Sequence, residues 1–147
     1  MLDMDTKAEF FKLRTPLLSE GRLVTVLAET DVMRVWMKCY AEGGENVLHA
    51  HAQEDHMFVI LQGQARFYDK EGGERVLGRN EGIMLPRGAF YYFNSCGDEP
   101  LVMLRVGAFV NGAGHSGRLG ADGRPLAGDS VENKHVDPLA IPGAYYE

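Results

Sequence analysis

The stretch Gly43-Gly44-Glu45-Asn46-Val47-Leu48-His49-Ala50-His51, followed by His56 and Gly63, gathers three of the chain's five histidines within eight residues. His49 and His51 are an i, i+2 pair. Alternate side chains of a β-strand point to one face, so a strand through this segment presents both imidazoles to one point. That is how a sheet protein builds half of a metal site.

Outward from this segment the texture is that of a β protein. Short runs rich in β-branched and aromatic residues cover Leu23–Leu27, Val32–Tyr40, Asn46–His51, Met57–Leu61, Gln64–Asp69, Gly82–Leu85, Phe90–Asn94 and Leu101–Phe109. Turn signals such as Glu42-Gly43-Gly44, Lys70-Glu71-Gly72-Gly73 and Cys96-Gly97-Asp98 separate them. Short strands at such regular spacing predict an antiparallel sandwich or barrel. In Val32–Tyr40, parity puts Met33, Val35, Met37 and Cys39 on one face, which is the better candidate for the barrel interior, and Arg34, Trp36, Lys38 and Tyr40 on the other. Met57-Phe58-Val59-Ile60-Leu61 is apolar on both faces and needs cover on both sides, from a second subunit or from the C-terminal tail.

The ends differ from the middle. Residues 1–20 form an N-terminal segment, expected as a short helix or turn starting at Asp5 or Thr6 and stopped by Pro16. Residues 21–110 hold the barrel. Residues 111–147 are rich in Gly and Pro, and Leu139, Ile141, Tyr145 and Tyr146 at their end favour an ordered, extended C-terminal arm over a disordered tail.

Composition bounds the function. With 147 residues the chain is expected as one domain, burying about 70% of the surface that the unfolded chain exposes. The net charge is −6 and the basic residues form no run, which argues against a nucleic-acid or membrane partner, since both need a basic face. No apolar run reaches the length of a membrane span, and Met1 to Leu13 lack the apolar core of a signal peptide. Cys39 and Cys96 lack metal or redox spacing and are expected as free thiols. A cytoplasmic protein is the resulting expectation.

Two motifs resemble those of the cupin superfamily. Gly43, five residues, His49-Ala50-His51, four residues, His56, six residues and Gly63 match the spacing of the first motif, with His56 where the family has a glutamate. Pro86-Arg87-Gly88 matches the centre of the second motif, whereas Asn80 replaces its first glycine, Tyr91 its histidine and Ser95 its asparagine. The resemblance spans residues 30–110. It implies an all-β, antiparallel jelly-roll barrel whose motifs line one mouth and bind a divalent metal ion. Carried over by position, His49, His51 and His56 are the metal ligands, and the fourth is Tyr91, a water, or nothing. Three neutral imidazoles suit Fe(II), Zn(II), Ni(II) or Cu(II) better than manganese or magnesium.

The expected pocket is small and apolar with a polar metal floor, lined by Met37, His49, His51, His56, Phe58, Tyr91 and Phe93, and suits a small organic molecule. The first functional reading is a metal-dependent oxygenase, isomerase or lyase, with Tyr91 as proton donor or orienting group. The alternative is a non-catalytic module that binds a small ligand. A homodimer covering Met57–Leu61 accompanies both. Asp55 is either a partner that fixes a ligand tautomer or an exposed turn carboxylate. Arg66 and Arg105 either bind a substrate carboxylate or face water. His115 and His135 carry no spacing signal, and Cys39 is expected in packed core.

Overall fold

The computed structural model describes residues 2–41, 46–112 and 114–147. Gly43 of the first motif and the turn Glu42-Gly43-Gly44 lie outside the described residues. Among the described residues twelve strands follow one another: β1 Thr15–Glu20, β2 Arg22–Glu29, β3 Met33–Tyr40, β4 His49–His51, β5 Glu54–Gln62, β6 Ala65–Asp69, β7 Glu74–Leu77, β8 Gly82–Leu85, β9 Tyr91–Ser95, β10 Leu101–Phe109, β11 Arg118–Gly120 and β12 Leu139–Tyr146. One 3-10 turn, Val131–Asn133, interrupts the arm.

Two five-stranded antiparallel sheets face each other, in the orders β2-β3-β10-β5-β8 and β11-β4-β9-β6-β7. This is an all-β jelly roll in its two-sheet form; the sheets pack face to face and do not share a closed ring of hydrogen bonds among the described residues. Period-two alternation builds the core between them. Phe58 and Ile60 of β5, Phe67 of β6, Tyr91 and Phe93 of β9, and Leu101 and Met103 of β10 interdigitate with Tyr40 of β3. Several aromatic contacts are edge-on, as ring quadrupoles favour: Tyr40 meets Phe93 at 4.9 Å and 81°, and Phe58 meets Phe93 at 5.6 Å and 63°, whereas Tyr91 and Phe93 lie nearly parallel at 6.4 Å.

The parity expected for β3 is inverted. Tyr40 packs in the core between the sheets, and Trp36 and Lys38 line its cavities. Met37 and Cys39 instead belong to a second apolar cluster on the outer face, with Leu18 and Val102, flanked by Leu13, Leu17, Leu61 and Tyr146. Hydrophobicity misleads here because the polar face of β3 borders a ligand-sized space, while the apolar face is roofed by the chain's own termini.

That roof replaces the N-terminal helix. Among the described residues no helix forms before Pro16, only a turn at Met4 and Asp5; Thr15–Glu20 is a strand that pairs with β12, Pro16 opposite Tyr145 and Leu18 opposite Ala140. A proline is tolerated because this is a two-stranded ribbon with register shifts on both sides of Leu18. The ribbon is secured by Arg14, whose guanidinium lies 3.9 Å over the Tyr145 ring and pairs with Glu147 at 2.9 Å.

The arm is fastened at Gly21 and Arg22. Gly21 has φ +78°, and a Cβ there would overlap the carbonyls of Val136 and Asp137. Arg22 donates through its backbone N–H to Val136 and through its guanidinium to the carbonyls of Gly128 and Asn133. Gly21→Ala is expected to lower stability by about 1–3 kcal/mol, through left-handed strain and eviction of the arm. Urea denaturation checks this, together with faster proteolysis within residues 128–137; an unchanged midpoint would contradict the close approach.

Candidate metal centre

β4 is only three residues long and wholly buried, so it sets His49 and His51 beside each other, ring centroids 5.2 Å apart. Its neighbour β9 brings Tyr91 directly opposite His49 in register, 4.4 Å between centroids. β5, from the facing sheet, contributes His56, whose ring lies 4.7 Å from that of His51. The four side chains are 2–3% exposed. The structure therefore brings all four sequence-derived candidates together between the two sheets.

The phenol of Tyr91 is the hub of the polar contacts. Its oxygen lies 3.0 Å from Nε2 of His56 and 3.4 Å from Nε2 of His51. His49 turns elsewhere: its Nδ1 is 2.6 Å from the Val47 carbonyl, which can only accept, so that nitrogen carries the proton and Nε2 keeps the lone pair. A backbone carbonyl behind an imidazole is the arrangement that presents Nε2 as a ligand. Val47 is held in turn by the arm, its N–H donating to Oδ1 of the fully buried Asn133.

The residue missed in the sequence is Glu54. It shares the inward face of β5 with His56 and is 0% exposed. His51, Glu54 and His56 offer ligand atoms that all lie within 4.8 Å of one another, a cluster that could hold a metal ion; His49 stands outside this group. His51 Nδ1 is 3.6 Å from a Glu54 oxygen, too long for a hydrogen bond. Nδ1 of His51 and of His56 are both buried without a hydrogen-bond partner among the described residues. A carboxylate thus stands two residues before the position where the family carries one. Strand parity is the signal that could have found it: 54, 56, 58 and 60 form one face.

Glu54 is gripped by Arg105 of β10, which donates to its two oxygens at 2.8 and 2.6 Å. Room for the carboxylate comes from Gly107, where a Cβ would overlap Glu54 Oε2. Arg105 is stacked 4.0 Å over Trp36. It is therefore an internal counter-ion and not a water-facing strand arginine. Arg66 is a surface residue facing Glu74. Asp55 points out of the core, accepting from the Arg87 N–H at 2.8 Å, so it orients no ligand. Cys39 is buried, which raises its thiol to about 11. His135 lies in the arm, hydrogen-bonded to Arg22 and Asp137.

Burial is the first cause of the site's protonation state. It draws His49 down to about 3 and His56 to about 2, and lowers His51 further still, with the positive charges of Arg118 and Arg105 adding to it. Burial also lifts Tyr91 to about 12. Near neutral pH the site holds three neutral imidazoles and one neutral phenol.

A cavity of about 360 Å³ adjoins His49 and Tyr91, walled by Val24, Tyr40 and Phe93 and by the arm at Gly128 and Pro138. A second space of about 210 Å³ reaches His51 and Glu54. Of the expected lining residues Met37, His56 and Phe58 line neither, and the walls carry Arg22, Lys38 and Arg118, so the pocket is more cationic than the expected apolar one.

Acid should destabilise the metal-free protein. Unfolded histidines titrate near 6.5, so below that pH the unfolded state binds protons that the folded state refuses. Each group then removes up to about 1.4 kcal/mol of stability per pH unit. Thermal melts between pH 6.5 and 5 should show a falling midpoint; a flat one would mean that the histidines are accessible to protons.

Among the described residues no helix is long and apolar enough to cross a membrane. The family model described as Cupin domain matches residues 36–107. No curated protein matches the chain. Among solved structures, an uncharacterized conserved protein with a double-stranded beta-helix domain from Klebsiella pneumoniae superposes with a TM-score of 0.62 at 20% identity, covering 76% of this chain and 96% of that one. The cupin domain of Cnp3 from Schizosaccharomyces pombe gives 0.57 at 17% identity, covering 63% and 67%. KdgF from Halomonas sp. gives 0.54 at 17% identity, covering 60% and 80%. At such identities the likeness is one of fold. The domain match over the strands that carry the histidines agrees with it: residues 36–107 resemble a cupin domain.

Proposed function

We propose that the chain binds a divalent metal ion at this centre and acts on a small organic molecule held in the adjoining cavity. The observation that carries the reading is the convergence of buried, neutral imidazoles with Glu54, two ring nitrogens being left without partners. An orphaned buried nitrogen is costly, and a metal ion would satisfy it. His51, His56 and Glu54 would hold the ion, and the Nε2 lone pair of His49 is a further candidate donor. Two to three imidazoles and one carboxylate suit Fe(II), Zn(II) or Ni(II). Such an ion supplies Lewis-acid polarisation of a substrate oxygen or a bound water of lowered pKa.

The chain's own residues supply the rest. Tyr91, neutral and hydrogen-bonded to two imidazoles, would orient a substrate oxygen or donate a proton to it. Phe93 and Tyr40 exclude water from one wall, and the arm closes the other. Reactions of the oxygenase, isomerase or lyase type fit this combination. A specific observation favours a second reading, a non-catalytic binder: Arg105 already engages both oxygens of Glu54, so the centre can stand without metal.

Metal content, measured by mass spectrometry on untagged protein, separates the two. Near one equivalent in wild type, lost in His56→Ala and at least tenfold weaker in Glu54→Gln, is expected. Wild type that is empty and takes up no added Fe(II), Zn(II) or Ni(II) would refute the centre.

A homodimer is part of the same proposal. Met57 pairs in register with Met84, which is 65% exposed, and Met57 and Val59 are only partly buried on the outer face of β5. Light scattering should give twice the mass of the chain, and Met84→Glu should halve it; a wild-type mass at the monomer value across concentrations would rule out the dimer.

A further inference from the structure

The chain as a whole is acidic, with a net charge of −6, yet its interior is basic. The larger cavity is lined by Arg22, Lys38 and Arg118, and only the exposed Asp129 opposes them. The smaller is lined by Arg34, Lys38, Arg105 and Arg118, and its one carboxylate, Glu54, is taken up by Arg105. Lys38 and Arg118 are common to both spaces. They come from opposite sheets, Lys38 from β3 and Arg118 from β11. Arg118 lies opposite His51 in register, on the face of its sheet that carries the histidines.

The other cations of the interior are occupied. Arg105 holds Glu54, and Arg22 holds the arm. Among the described residues, neither Lys38 nor Arg118 makes a side-chain hydrogen bond or ion pair. The Lys38 ammonium has only two ring faces near it, Tyr40 at 5.3 Å and Phe58 at 5.6 Å. Lys38 is partly buried, and such contacts contribute about 0.5–2 kcal/mol, so they offset only part of what its ammonium loses on leaving water. Burial and the neighbouring guanidinium groups accordingly depress the Lys38 ammonium well below its usual range. Two converging, unneutralised donors in a cavity walled by apolar rings have the chemistry of an anion receptor.

We propose that Lys38 and Arg118 form a subsite for the carboxylate or phosphate group of a small organic anion, whose body lies against Val24 and Phe93 and extends towards His49 and Tyr91. As a statement of substrate class this rests on the proposed function; as a binding site it requires no metal. Arg118 would contribute the paired donors of its guanidinium, and the negative charge of a bound anion would keep Lys38 protonated as a second donor beside it. The charge also favours capture of anions against the protein's overall repulsion.

The test uses the full chain stripped of metal with EDTA and dialysed, in uncharged-buffer conditions of fixed ionic strength. Malonate, inorganic phosphate and the neutral analogue malonamide are titrated by calorimetry and by thermal shift. Saturable binding of malonate or phosphate, none of malonamide, and at least tenfold weaker binding in Lys38→Met and in Arg118→Gln are expected, with both variants folded by circular dichroism. The tighter of the two anions identifies the head group. No saturable binding in wild type, or binding unaltered in both variants, would overturn the subsite. Metal content of Lys38→Met is measured in parallel: loss of anion binding with metal retained separates failure of this subsite from failure of the metal centre.

Discussion

Glu54 and Arg105 form a bidentate ion pair at the heart of the sandwich, and the centre is arranged around it. Glu54 is 0% exposed and Arg105 5%. Such a pair gives little net stability over an apolar pair of the same volume, but removing one partner costs about 3–5 kcal/mol, because the other is left charged and buried. Several features of the sequence follow from accommodating it. Gly107 leaves the space, Trp36 stacks on the guanidinium, and the register of β5 against β10 sets Arg105 opposite Phe58 with Gly107 opposite His56. The carboxylate held in this way faces the ring nitrogens of His51 and His56. Its role is best understood through those nitrogens and not through stability.

A second constraint comes from the chain ends. The termini pair with each other as β1 and β12 over the outer face of one sheet, and the arm between β11 and β12 closes the larger cavity. Asn133 of that arm reaches Val47, and Val47 fixes the tautomer of His49. Closure of the cavity and orientation of one imidazole are therefore coupled through a single buried amide. The arm belongs to the site as much as the motif strands do.

Much of this was legible in the sequence. The i, i+2 spacing of His49 and His51, the distance to His56, and Pro86-Arg87-Gly88 ahead of Tyr91 pick out four side chains that the fold brings together. Glu54 was not legible because His56 fills the expected carboxylate position and Asp55 lies next to it in sequence; only the parity of β5 distinguishes the buried acid from its outward-facing neighbour. The face of β3 was misassigned because apolar content was equated with the interior, whereas Lys38 and Trp36 border a cavity and Met37 and Cys39 lie under a roof made from both ends of the chain. That roof depends on pairing between residues more than a hundred positions apart, such as Pro16 with Tyr145, and local patterning marks the apolar end of the arm without showing what it pairs with. For the same reason Pro16 looked like a helix stop when it is an edge-strand residue at a bulge.

The central claim is that imidazoles and a carboxylate of this cluster coordinate an ion directly. X-ray absorption at the edge of the bound metal, on protein loaded with one equivalent of Zn(II) or Fe(II), tests it most directly. The account predicts an inner shell of nitrogen and oxygen donors with the outer-shell scattering of at least two imidazole rings, and the loss of one ring in His56→Ala. A shell of oxygen donors alone, without imidazole scattering, would contradict it.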